Sequence, residues 1–315
     1  MRVLSTLGIA AALTLAGSAL AMGFSGWSTA QKIDEIGGNS AELNTSSLDG
    51  CPIQSPDDLS LYLASNRPGG QGGLDIWVAT RQSTDAPWGA PQDLPGPINS
   101  TADDFCPTPV RGGGLFFVSR RVVAGVTCGL GDIYFARFNA NHGWSEPQHF
   151  ACAPAGPNTA LDQQGPSFVE IEGNKYLYFS SSRAPAQGGF VPGEIYVSER
   201  AGDDFGPGVA VGKLNDPTAN DIQPNIRKDG RELMFSSDRG GGLGGQDIWV
   251  STRGSTSDPW STPVNLGSAV NTAAAESRPS LSWNADQLLF GRAPGPEGGS
   301  DIYVTTRDKL EGSGN

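Results

Sequence analysis

Along this chain, short apolar runs alternate with breaks rich in Gly, Pro, Asn and Asp, and apolar positions keep no helical spacing outside the N-terminus. Five of the runs share a design, each ending in small residues and an Arg. They span Leu61 to Arg67, Leu115 to Arg120, Tyr178 to Arg183, Met234 to Arg239 and Leu288 to Arg292. Runs this short, dense in aromatic and apolar residues and bounded by turn formers, predict strands.

After each run comes a Gly-rich loop and then a recurring phrase. The copies are Asp75-Ile76-Trp77, Asp132-Ile133-Tyr134, Glu194-Ile195-Tyr196, Asp247-Ile248-Trp249 and Asp301-Ile302-Tyr303. Their spacings of 57, 62, 53 and 54 residues mark an array of similar supersecondary units. A second Arg follows each phrase, at Arg81, Arg137, Arg200, Arg253 and Arg307. An aromatic outer element comes next, at Trp88, Trp144, Phe205 and Trp260. Ahead of each run lies an Asn or Asp with a Pro eight residues on: Asn44 and Pro52, Asn99 and Pro107, Asn158 and Pro166, Asp216 and Pro224, Asn271 and Pro279. Four strands per unit and five units predict an all-β fold, a five-bladed β-propeller of four-stranded antiparallel blades. Trp27 matches the outer element, whereas the last repeat ends at Arg307 without one. Residues 27–36 are therefore expected beside residues 301–307, closing the ring and removing its open edge. Repetition from end to end predicts one domain over residues 22–308, followed by a tail at 309–315.

Composition sharpens this picture. The 44 Gly and 23 Pro supply turns, and 37% hydrophobic content suffices for thin layers between blades. Arg2, the apolar stretch Leu4 to Leu20 and the small-x-small triplet Ala19-Leu20-Ala21 predict a signal peptide over residues 1–21. The mature chain is then expected outside the cytoplasm, periplasmic or secreted, with no transmembrane segment. The formal charge is −12, and such a field repels phosphate, so nucleic acid is not expected as a partner.

That compartment predicts disulfides for the four cysteines, and no C-x-x-C pair suggests zinc. A hairpin centred on residues 139–143 brings Cys128 and Cys152 to its open end. Cys51 and Cys106 remain, each directly before its repeat Pro, at equivalent places in neighbouring blades near the axis. The repeated charges also suggest pairs, since the Arg ending one strand and the acid opening the next share one end of an antiparallel pair. Arg67 is expected to reach Asp75, Arg183 Glu194, Arg239 Asp247 and Arg292 Asp301, with Arg120 or Arg121 serving Asp132.

These repeats resemble the WD-like β-propeller repeats of the TolB type and of prolyl-oligopeptidase propellers. The likeness is clearest at Gln54-Ser55-Pro56-Asp57-Asp58-Leu59 and Lys228-Asp229-Gly230-Arg231 and covers residues 27–308. It implies the propeller alone, with neither the N-terminal domain of TolB nor a peptidase domain, and so carries over no catalytic residue.

Three positions before each repeat Pro stand Asp49, Asp104, Gln163, Asp221 and Glu276, a ring expected at one mouth of the central channel. It is the candidate binding mouth. A suitably spaced carboxylate pair there could do acid and base work, while recurrence in every unit favours backbone capping. The apolar stretch Arg121 to Val126 and the insertion Phe190-Val191-Pro192 lie in loops on the same expected face. His142 falls in a turn and His149 in an outer strand, so no Ser-His-Asp triad is suggested, and no cofactor motif is present. The expected function is a binding scaffold for a protein or peptide partner, such as an envelope component. The alternative is a glycan-binding or glycoside-processing propeller that uses the funnel carboxylates. Catalysis ranks below binding.

Overall fold

The computed structural model describes residues 23–182 and 193–310. Five antiparallel sheets follow one another in sequence. Blade 1 comprises Asp49–Gln54, Ser60–Ser65, Asp75–Thr80 and Gln92–Asp93. Blade 2 comprises Asp104–Val110, Gly114–Ser119, Asp132–Asn139 and Gln148–His149. Blade 3 comprises Gln163–Ile171, Asn174–Ser182, Gly193–Ala201 and Val209–Ala210. Blade 4 comprises Asp221–Ile226, Glu232–Ser237, Asp247–Thr252 and Val264–Asn265. Blade 5 comprises Ala275–Leu281, Gln287–Ala293 and Asp301–Thr306, with Gln31–Lys32 as its outer strand. Gln31 pairs with Val304 and Lys32 with Tyr303, so the N-terminal segment closes the ring as its sequence predicts. The signal peptide, Arg183, the Phe190-Val191-Pro192 insertion and residues 311–315 lie outside the described residues.

The second strands explain how 37% hydrophobic content fills five interfaces. Side chains alternate across a strand, so each second strand serves two neighbours. Leu115 and Phe117 pack with Ile76, Leu94 and Ile98 of blade 1, while Phe116 and Val118 pack with Leu177, Phe179 and Phe205 of blade 3. Leu288 and Phe290 face blade 4, and Leu289 faces Leu61, Leu63 and Trp77 of blade 1. One apolar cluster results at each blade interface, and each fully buried large side chain contributes about 1.5–3 kcal/mol.

A polar stitch runs beside each cluster. Asn99 is buried, accepts from the Ile76 N–H and donates to the Ile76 carbonyl, both at 2.9 Å. Asn44 treats Ile302 this way, Asn158 treats Ile133 and Asn271 treats Ile248. In the fourth repeat the partner of Ile195 is Asn215, not Asp216, which corrects the assignment by spacing. The side-chain amide imitates a strand and ties each blade to the one before it. Glycine lets the loops interlock: a Cβ on Gly72 would lie 2.1 Å from the Ala102 carbonyl oxygen, and one on Gly244 equally close to that of Ala274.

Every inner strand carries a bulge at its Pro. The register shifts between Gly50 and Ile53, Phe105 and Thr108, Gln164 and Ser167, Ile222 and Asn225, and Ser277 and Ser280. The residue before each Pro takes positive φ: Cys51 48°, Cys106 49°, Gly165 55°, Gln223 55° and Arg278 60°. Pro has no N–H to offer the ladder and so fits the bulge. The bulged residues line the axis of the propeller.

Candidate functional site

The ring of Asp49, Asp104, Gln163, Asp221 and Glu276 is not an open mouth, because all five residues are fully buried. Arg67 binds Asp49 at 2.5 Å, Arg121 binds Asp104 at 2.8 Å, Arg239 binds Asp221 and Arg292 binds Glu276 at 2.7 Å. Backbone amides complete the capping, with Thr45 donating to Asp49 at 2.6 Å, Ser100 to Asp104 at 2.6 Å and Thr272 to Glu276 at 2.9 Å. Neutral Gln163 is held by Thr159 and by Ser181 at 3.0 Å. Burial pushes the Asp221 carboxyl above its ordinary range, against the pull of Arg239. With every acid engaged inside the fold, the ring presents no carboxylate to a ligand.

These pairs correct the sequence assignment of the repeated Arg. Each lies between two acids, and the structure gives it to the inner-strand acid of its own blade. There it also stacks on the third-strand aromatic, Arg67 over Trp77, Arg121 over Tyr134, Arg239 over Trp249 and Arg292 over Tyr303. The acid opening the third strand instead caps the Gly-rich loop. Asp75 accepts from the Gln71 and Gly72 amides, Asp132 from Cys128, Asp247 from Leu243 and Asp301 from Glu297.

The cysteines pair as the register argument predicts, Cys51 with Cys106 and Cys128 with Cys152. Two disulfides suit an oxidising compartment. Among the described residues no helix is long and apolar enough to cross a membrane. His149, which no motif singled out, places its Nε2 2.8 Å from the accepting Asp132 carboxylate and 3.7 Å from Cys128 Sγ. Cys128, Asp132 and His149 thus hold possible ligand atoms close together, but the Cys128 sulfur is bound in a disulfide and is not a thiolate. The Arg121 to Val126 loop exposes its valines as expected, Val122 most of all.

The largest departure from the repeat lies at the opposite end of the propeller, where the inner strands finish. In blades 1, 4 and 5, the Arg after the third strand folds back onto a turn carbonyl and stacks on the outer-element Trp. Arg81 binds the Asp58 carbonyl over Trp88, Arg253 the Gly230 carbonyl over Trp260, and Arg307 the Ala285 carbonyl over Trp27. In blades 2 and 3 the third strands run further, to Asn139 and Ala201, and form short hairpins with Gly143–Trp144 and Asp204–Phe205. Arg137 and Arg200 are thereby released to the surface, where they line a cavity of about 530 Å³.

This groove has an aromatic floor. Phe168 stacks on Phe116 with ring centroids 5.4 Å apart, and Phe135 lies 4.7 Å from Phe116. Turns of blades 2, 4 and 5 complete its wall: Arg111 and Lys228 lie 4.3 and 5.2 Å from the ring centre of the half-buried Trp283. Lys175 is the fifth cation, 3.9 Å from Glu170, the one acidic residue in the lining. Five of the chain's 21 basic residues and one of its 33 acidic residues therefore meet here. Cations and half-buried rings around a cavity this size can hold an anionic ligand that also presents an apolar face.

No protein-family model matches this sequence, and no curated protein matches it. Solved structures do share its shape. A thermostable family-43 glycoside hydrolase superposes with a TM-score of 0.54 at 15% identity, covering 84% of this chain and 89% of that one. An alpha-L-arabinofuranosidase from Lactobacillus brevis gives 0.53 at 12% identity, with 85% and 93% covered. A GH62 hydrolase in complex with xylotriose gives 0.54 at 10% identity, with 91% and 99% covered. Identity this low establishes a common fold. The expectation of a protein-binding scaffold is corrected by these neighbours, which are glycoside-directed enzymes and agree with the glycan alternative.

Proposed function

We propose that this propeller is an extracytoplasmic glycan-binding protein whose ligand is an acidic glycan held in the groove between blades 2 and 3. The observation that carries the proposal is the gathering of Arg111, Arg137, Lys175, Arg200 and Lys228 around aromatic side chains in a chain of net charge −12. A sugar ring presents C–H faces that pack on Trp283 and Phe168. A uronate carboxylate accepts hydrogen bonds from Arg or Lys, and Arg can meet it with two. The aromatic floor beside the cations lowers the local dielectric and strengthens the charge-assisted contact. The fold shared with glycoside hydrolases supports the carbohydrate reading. The ring acids, sealed by Arg67, Arg121, Arg239 and Arg292, support binding over hydrolysis.

Calorimetric titration against polygalacturonate, alginate, arabinan and xylan tests this, with reducing-end release followed in parallel. Saturable binding of the acidic polymers, no binding of the neutral ones and no release is the expected result. Preference for neutral arabinan or xylan, or release of reducing ends, would refute it.

A further inference from the structure

The outer Trp of blade 2 lacks the cover that its counterparts have. An Arg lies over Trp27, Trp88 and Trp260, but among the described residues none lies over Trp144, because Arg137 turns to Phe135, 5.0 Å from that ring's centre. Trp144 instead packs edge-to-face with Phe138, their centroids 5.3 Å apart, and Phe138 stays half exposed. Side chains alternate across the third strand of blade 2. Phe135 and Arg137 enter the groove shared with blade 3, so Phe138, one step on, faces the other way, toward blade 1. There, with Trp144, it borders a second cavity of about 680 Å³, walled on the blade 1 side by Tyr62, Val78 and Leu94. The two cavities lie on either side of the blade 2 turn and share Pro109, Val110 and Arg111. Their chemistry differs. Asp57 and Arg111 are the charged residues of the second lining, so it holds no excess of cations. Ser55 Oγ donates to Asp57 Oδ1 at 2.5 Å, which leaves Oδ2 to accept from a ligand. Tyr62 Oη and Trp144 Nε1 make no hydrogen bond among the described residues and are not sealed from solvent. A sugar hydroxyl can donate to Asp57 and accept from Tyr62 and Trp144, whereas a uronate carboxylate has no proton to donate and carries the same charge as Asp57.

We propose that this cavity is a second sugar site, which takes an uncharged unit of the same chain whose acidic unit sits in the groove. The ligand class narrows accordingly to a heteroglycan that joins uronic acids to neutral sugars and lies across the blade 2 turn. The inference rests on the groove being an acidic-glycan site. Continuity decides the occupant: Arg111 borders both cavities, so a chain leaving the cations of one passes directly to the aromatic rings of the other. Phe138 and Trp144 offer ring surface to the C–H face of a neutral sugar, and Asp57 disfavours a second uronate. The groove supplies the charged anchor, so the cavity adds selectivity and does not hold a neutral polymer unaided.

Calorimetric titration of the full chain with two oligosaccharides of equal length tests the site. One is an oligogalacturonate, acidic throughout, and the other a rhamnogalacturonan oligosaccharide in which galacturonate and rhamnose alternate. Wild type should bind the alternating chain at least about tenfold more tightly. Trp144→Ala should bind the two with equal affinity. Asp57→Asn should narrow the preference by binding the oligogalacturonate more tightly than wild type does. Should Trp144→Ala fail to fold, Phe138→Ala, at a half-exposed ring, measures the same loss of preference. Equal affinity of wild type for the two chains, or the wild-type preference retained in Trp144→Ala or its substitute, overturns the second site and leaves the groove standing. No binding of either chain overturns the groove and the second site together.

Discussion

At the scale of single residues, the same side chain type does different work according to what its blade leaves it to touch. Arg67 and Arg137 each occupy a repeated Arg position, yet one is sealed against a carboxylate and the other faces the groove. The ring pairs lead to a stability prediction. Asp104→Ala strands Arg121 in a partly buried site, and losing one partner of a buried pair costs about 3–5 kcal/mol. Urea denaturation should show that loss, while acidic-glycan affinity stays unchanged, because the groove lies at the other end of the inner strands. Asp301 leads to a pH prediction. Burial and its contact with Glu297 push its carboxyl from 3.8 to about 7, so the folded state holds a proton that the unfolded chain releases. Between those values the folded protein binds more protons, and stability must fall as pH rises through that window. Asp301→Asn should remove this part of the decline between pH 5 and 7, read as melting temperature against pH. A slope identical to wild type would show that Asp301 does not titrate there.

At the scale of elements, repetition made the fold legible. Five copies of one phrase gave the strands, the blade count and the closing strand, since a pattern that recurs reports the scaffold. The disulfides were legible for the same reason, because Cys51 and Cys106 hold equivalent positions and Cys128 and Cys152 flank one hairpin. The Arg partners were not, because both candidate acids lie one strand away and only side-chain direction in three dimensions separates them. The groove was hidden more deeply. Its cations come from strands and turns of three different blades, and its shape depends on where two third strands stop. One local signal existed: Pro87 and Pro259 precede the outer Trp in blades 1 and 4, where a missing N–H ends the pairing, whereas Gly143 and Asp204 stand there in blades 2 and 3. With φ of +74° at Gly143 and +66° at Gly202, the tight turns close and the hairpins extend. The asparagine stitches are the elements' most exposed point of failure. Asn99→Ala leaves the Ile76 N–H without its partner, at about 1–3 kcal/mol, while the Ile76 carbonyl keeps the Leu94 N–H. Loss of cooperative melting confined to the boundary of blades 1 and 2 should appear by hydrogen exchange. Unchanged protection of the Ile76 amide would contradict the stitch.

At the scale of the whole molecule, the two ends of the propeller are chemically unlike. One end carries acids closed off by arginines, two disulfides and the exposed valines of residues 122–126. The other carries a cationic, aromatic groove set in an acidic body. A local patch opposite in sign to the net charge attracts an anion at short range, within a Debye length of about 8–10 Å, and its pull weakens with salt. The most direct test is the affinity of wild type and of an Arg111→Ala/Lys228→Ala variant for a purified oligogalacturonate, at low and at physiological salt. The account predicts that the variant keeps the wild-type melting temperature, binds at least about tenfold more weakly, as befits loss of two charged contacts, and loses much of the salt dependence. Equal affinity and equal salt dependence in the two proteins would contradict it.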